Sequence, residues 1–173
     1  MRHRLCSTAV TFLLFAHPAA AAIELVEFGV ICEITTDGQR EAPLTESGVI
    51  NSIDQSRAFD VYTTGVPAHL GLSFGLRILL PEGETSRGTR MTVTHPPLGK
   101  RRVTTESWSA PLAPGAPALN LFTFEKEYEM VQGTWTFAVI DDQGKHFEQS
   151  FEVLPPGSVP QVQTACFDPV PLS

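Results

Sequence analysis

Apolar residues recur at every second position in several stretches of the chain, and that spacing predicts β-strands. Over residues 134–140 (TWTFAVI) it puts Trp135, Phe137 and Val139 on one face. Asp141-Asp142-Gln143-Gly144 follows as a tight polar turn, in which Gly144 supplies the positive φ. Beyond it Phe147, Phe151 and Val153 share a face with Gln149, while His146, Glu148, Ser150 and Glu152 are expected to point to water. These two strands form a hairpin. The clearest alternation lies over residues 70–80, where Leu70, Leu72, Phe74, Leu76, Ile78 and Leu80 fill one face and only Leu79 breaks the order. Such a pattern predicts a central strand with one face in the core. Gly71 and Gly75, on its other face, leave room for a close neighbour. Residues 23–34 give a first strand, with Val26, Phe28, Val30, Cys32 and Ile34 on one face.

The remaining segments carry weaker patterns. Residues 89–95 (TRMTVTH) read as a strand ended by Pro96-Pro97, because a central strand does not tolerate lost donors. Short strands are expected around Phe59 and Val61 and over residues 103–109, which carry Trp108. Residues 37–48 are polar, and residues 49–60 show little periodicity. A strand over residues 119–128 leads into Tyr128, then Met130-Val131-Gln132-Gly133-Thr134-Trp135. An aromatic, an apolar corner, a Gly and a second aromatic match the place where an immunoglobulin-like sandwich crosses between its sheets. Any antiparallel hairpin with a buried Trp would show the same order. Together these elements predict one all-β domain, an immunoglobulin-like antiparallel β-sandwich of roughly seven to nine strands. There is no internal repeat and no amphipathic helix of useful length.

The ends change the picture. Residues 1–22 read as a secretory signal: Arg2 and Arg4 form a positive start, residues 9–16 (AVTFLLFA) a short apolar core, and residues 19–22 a run of alanines suited to cleavage. The apolar run is far shorter than the roughly 20 residues that span a bilayer. The sandwich is expected over residues 23–154 and a proline-rich tail over residues 155–173. Export to the periplasm or beyond removes Cys6 with the signal and leaves Cys32 and Cys166, most simply a disulfide in an oxidising compartment. No His–Asn or His–Asp signature accompanies either Cys as a catalytic thiol would require.

Charge and chemistry narrow the function by exclusion. The chain carries 12 basic and 19 acidic residues, a net charge of −7, and loss of Arg2 and Arg4 makes it −9. That balance argues against a nucleic-acid binder, which needs a basic face. His69, His95 and His146 lie at no metal-ligand spacing, no nucleophile elbow occurs, and no glycine-rich phosphate loop opens a helix, so no catalytic residue, metal or cofactor is expected. Glu125, Glu127 and Glu129 alternate and read as a solvated strand face. Two features remain as a candidate contact surface. One is a rigid Pro-Pro turn from His95 to Lys100, Arg101 and Arg102, the only basic cluster; an ordinary solvated loop is the simpler account of it. The other is Trp108, as a ligand anchor or as a core residue.

Thr94-His95-Pro96-Pro97, Gly133-Thr134-Trp135 and Glu27-Phe28-Gly29 resemble a family of secreted proteobacterial proteins defined as a domain of unknown function, the one numbered 3859. The resemblance runs from about Ile23 to the last Cys. It implies an exported single-domain protein and brings no activity, cofactor or catalytic residue. The expected function is a non-enzymatic binding module whose partner is a protein or envelope component. One alternative is a small hydrolase or carbohydrate-active accessory protein using Trp108 and scattered carboxylates, which a deep cleft lined by two carboxylates would support. Another is a chaperone-like assembly component working through a long unprotected edge strand.

Overall fold

The computed structural model describes residues 23–168, so the expected signal segment and the last residues of the proline-rich tail lie outside it. Two sheets face each other. One holds β1 (Glu24–Ile31), β5 (Ser73–Leu79) and β8 (Ala118–Thr123) in the order β1-β5-β8. The other holds β4 (Gly65–Pro67), β10 (Gly144–Leu154), β9 (Gly133–Asp141), β6 (Arg90–Leu98) and β7 (Val103–Ser109), in the order β4-β10-β9-β6-β7. A separate hairpin of β2 (Thr36–Glu41) and β3 (Val49–Ile53) lies across the side of the sandwich. All pairings are antiparallel except β4 with β10. The all-β sandwich is as expected, with ten strands among the described residues rather than seven to nine.

The alternating faces meet where the pattern puts them. Phe74 of β5 is fully buried, and its ring lies between 5.3 and 5.6 Å from those of Phe124, Trp135, Phe137 and Phe151. Large aromatics of this kind dominate the burial energy of a small core. The other face of β5 is covered too. A Cβ at Gly75 would stand 2.1 Å from Asn120 O, so only glycine lets β8 come this close. Gly71 instead serves a turn, with φ +84° and open space around its Cα. A second apolar cluster of Ile31, Phe59 and Leu119, joined by Ile53 and Leu121, seals the outer face of the small sheet.

Through this outer layer runs a buried cation. Arg77 is 9% exposed, and its guanidinium donates at 2.6 Å each to Glu27 Oε1, Gln55 O and Arg57 O. It fastens the segment after β3 to the sheet. After β10 the chain makes a short helical turn that buries Val159 and Val162 in the main core, and Cys166 closes the disulfide to Cys32.

Several local expectations are corrected. Leu70 is exposed and precedes β5. The alternation of β1 is interrupted by a bulge between Leu25 and Glu27, which turns Val26 to solvent. Pro96 and Pro97 do not end β6: they sit in an irregularity between Thr94 and Leu98, beyond the β9 partners, where no ladder donor is needed. The strand expected to reach residue 128 stops at Thr123, and Tyr128 is an exposed residue of a 3-10 turn (Glu127–Glu129). Trp135 fills the corner instead, donating its indole N–H to Val131 O at 2.9 Å. A bulge between Lys145 and Phe147 turns His146 inward, where Nε2 lies 2.9 Å from the buried Asp141 carboxylate.

Candidate functional site

Each sheet ends in an unpaired edge on the same side of the sandwich, β8 in one and β7 in the other. The loop of the β2–β3 hairpin docks on β7: Ser107 N–H donates to Leu44 O at 3.1 Å, and Glu46 N–H donates to Glu106 Oε1 at 2.5 Å. Strand β3 does not reach β8. Between them lies a groove of about 260 Å³, floored by Trp108 and Asn120 and flanked by Leu121, Thr123, Glu106 and Glu129. Side chains bridge it at both ends. Gln55 Oε1 accepts from Leu119 N–H at 2.8 Å, and Asn51 Nδ2 donates to Glu125 Oε1.

The β8 edge is chemically open. In an antiparallel strand the N–H and C=O of one residue point to the same side, and neighbours alternate. Phe124 exchanges bonds with the chain at Leu72 and Gly71, so the even-numbered residues face β5. Leu119 faces away and is met by Gln55. By the same parity Leu121 and Thr123 direct their backbone groups into the groove, and their N–H groups have no partner among the described residues.

Of the solvated face expected for Glu125, Glu127 and Glu129, the first two are exposed and only Glu129 departs from it. Because the chain leaves β8 for a 3-10 turn, the alternation breaks and Glu129 is buried, while Glu125 lies exposed at the rim of the groove. Glu129 Oε2 accepts from Glu125 N–H at 2.7 Å and Lys126 N–H at 2.9 Å. Burial pushes its carboxyl above the usual carboxylate range; these backbone bonds oppose the shift, and the Glu125 and Glu106 carboxylates add to it. Glu129 therefore stabilises the fold below the ordinary carboxylate range and loses that contribution as pH rises through its elevated value. Replacing Glu129 by Gln keeps an acceptor for both N–H groups. Across about pH 4 to about pH 8, its melting temperature is expected to fall less with rising pH than that of the wild type; parallel curves would contradict the assignment.

Glu106 is also buried, and its Oε2 lies 3.6 Å from His95 Nε2, outside hydrogen-bond reach. His95 Nδ1 is held by Pro96 O at 2.8 Å and its ring lies on Trp135, centroids 4.6 Å apart. The β6 alternation thus carries His95 into the core with Met91 and Val93, and its side chain offers no contact surface. Trp108 is 7% exposed and donates to Asn120 Oδ1 at 3.3 Å, linking the two sheet edges. It is a core residue that also floors the groove, not an exposed anchor. Of the basic cluster, Arg101 is tied back to Glu46 at 2.8 Å, while Lys100 and Arg102 stand in the exposed turn between β6 and β7. The structure therefore separates the sequence candidates. Trp108 belongs to the groove, the basic residues lie on a nearby turn, and His95 lies behind both. Among the described residues no cluster of His, Cys, Asp or Glu has the makings of a metal site, and no helix is long and apolar enough to cross a membrane.

A family model described as "Domain of unknown function (DUF3859)" matches residues 19–153. The chain belongs to the DUF3859 family. Among solved structures, an immunoglobulin-like protein from Pseudomonas aeruginosa is 26% identical, with a TM-score of 0.50, over 79% of this chain and 99% of its own. The immunoglobulin-like sandwich read from the strand pattern is thereby shared with a solved protein. No curated protein matches the chain. Sequence reasoning missed Glu106, Glu129 and Asn120 as groove residues, since only the docking of β2–β3 brings them together.

Proposed function

We propose that this DUF3859 protein is an exported, non-enzymatic binding module that seats part of a protein or envelope component in the groove between β3 and β8. The observation that supports it is the groove itself, an open strand edge beside a buried aromatic and two buried carboxylates. The volume is close to the small end of ligand sites. The disulfide suits an oxidising compartment. Ser52 lines the groove, is half-buried and carries no side-chain hydrogen bond among the described residues, so Ser52→Trp plugs the site without breaking a contact. In a pull-down from envelope extract with the mature, oxidised protein, a stoichiometric partner is expected to be held by the wild type and by a Lys100→Ala/Arg102→Ala variant, and lost by Ser52→Trp. Retention by the plugged variant would contradict the groove; loss only in the basic-turn variant would move the site there.

The carboxylates around Trp108 also favour, more weakly, the carbohydrate-active reading. Glu106 and Glu129 both spend an oxygen on backbone N–H groups, which a general acid or nucleophile would need free. Turnover of a chromogenic glycoside that disappears in Glu129→Gln would reverse this preference.

A further inference from the structure

We propose that the occupant of the groove is an extended peptide segment that adds to β8 as a strand and places a lysine or arginine side chain between Glu106 and Glu129. This deepens the binding-module reading above and rests on it.

The edge selects the class. Leu121 and Thr123 present N–H and C=O groups two residues apart, a repeat of roughly 6.8 Å that an extended polypeptide matches in either direction. Gln55 already imitates such a partner by offering a carbonyl oxygen to Leu119 N–H. Strand β3 stands on the opposite side with no ladder to β8, so the intruding segment is flanked on both sides. The bridges at Leu119 and Glu125 leave space between them for a segment of about five residues at a strand's rise. Strand addition draws affinity from main-chain bonds and specificity from side-chain pockets.

The wall selects the side chain. Glu106 is 4% exposed, and its Oε2 has no hydrogen-bond partner among the described residues. Behind it His95 Nε2 is buried and likewise unpartnered. With Glu129 beside it, the groove carries carboxylates at its inner end, and Arg40 is the one cationic residue in its lining among the described residues. A carboxylate oxygen without a hydrogen-bond partner at the wall of a groove is satisfied best by a charged N–H donor. A peptide with Glu at that place would set like charges together.

The test uses the mature, oxidised protein and five probes followed by amide chemical shifts and calorimetry. They are an acetylated, amidated hexapeptide Thr-Val-Lys-Val-Thr-Val, its Lys→Glu analogue, versions N-methylated at alternate amides in both phases, and spermidine. The Lys peptide is expected to shift the Leu121 and Thr123 amides. The Glu analogue, and of the two N-methylated versions the one whose methyls fall on the amides that face β8, should bind at least about tenfold more weakly, the effect of about 1.4 kcal/mol, whereas the opposite phase should keep its β8 bonds. Spermidine should leave those two amides unmoved. Spermidine moving them as the peptide does, or both N-methylated phases binding as tightly as the parent, would overturn strand addition. Equal binding by the Glu analogue would overturn the cation. If no peptide bound while Ser52→Trp still lost the extract partner, the groove would stand as the binding site and the peptide assignment would fall.

Discussion

Replacing both Cys32 and Cys166 by Ala is expected to lower the stability of the fold by about 5 kcal/mol, a large part of the roughly 5–15 kcal/mol that holds a typical domain. The bridge closes a loop of 134 residues, and in the chain-entropy picture a longer loop restricts the unfolded chain more. It also has local work. It ties the end of β1 to the C-terminal turn, whose Val159 and Val162 are buried in the main core and whose Phe167 stacks on His69 at 4.1 Å. Without it, that segment is held by apolar contact and, among the described residues, a single hydrogen bond from Gln161 Nε2 to Thr63 Oγ1 at 3.4 Å. Urea unfolding of the variant, compared with the oxidised wild type, measures the loss. A change below about 1 kcal/mol would show that the unfolded state gains little freedom and that the turn docks unaided.

Arg77→Ala is expected to destabilise by about 3 kcal/mol, because it strands a carboxylate and two carbonyls that the guanidinium satisfies together. Arg77→Lys should recover less than half of that, since an ammonium cannot span three acceptors set as a fork. The effect should also be directional. Gln55 and Arg57 belong to the segment that closes one end of the groove, so proteolysis near those residues should accelerate before the rest of the fold opens. Cleavage no faster than in the wild type would place the anchor of that segment in Phe59 and the outer apolar cluster instead.

The parts of this fold that were legible in the sequence are those whose large apolar side chains fall on one face of a strand. Strands β5 and β9 carry their core residues at every second position, and β10 resumes that order after its bulge, so the period alone identifies them. The β2–β3 hairpin left no such trace. All six residues of β2 are exposed and all five of β3 half-buried, because the hairpin covers a side of the sandwich and buries no face of its own. The site inherits that silence. Glu106 and Glu129 resemble any surface glutamate until the hairpin loop and the 3-10 turn close over them. The burial of Arg77 has no signal for a related reason: it occupies a polar position on β5, yet the next layer covers that face. His146 and Val26 were turned by bulges, which one extra residue creates without changing composition.

Amide hydrogen exchange at single-residue resolution on the free protein addresses the open edge of β8 itself. Asn120, Phe122 and Phe124 face β5 and should be protected, Leu119 partly protected by Gln55, and Leu121 and Thr123 should exchange roughly a hundredfold faster than their neighbours. That alternation would establish an edge ready to receive a strand. Equal protection along all of β8 would mean the edge is already closed, and the groove would lose its role as a docking site.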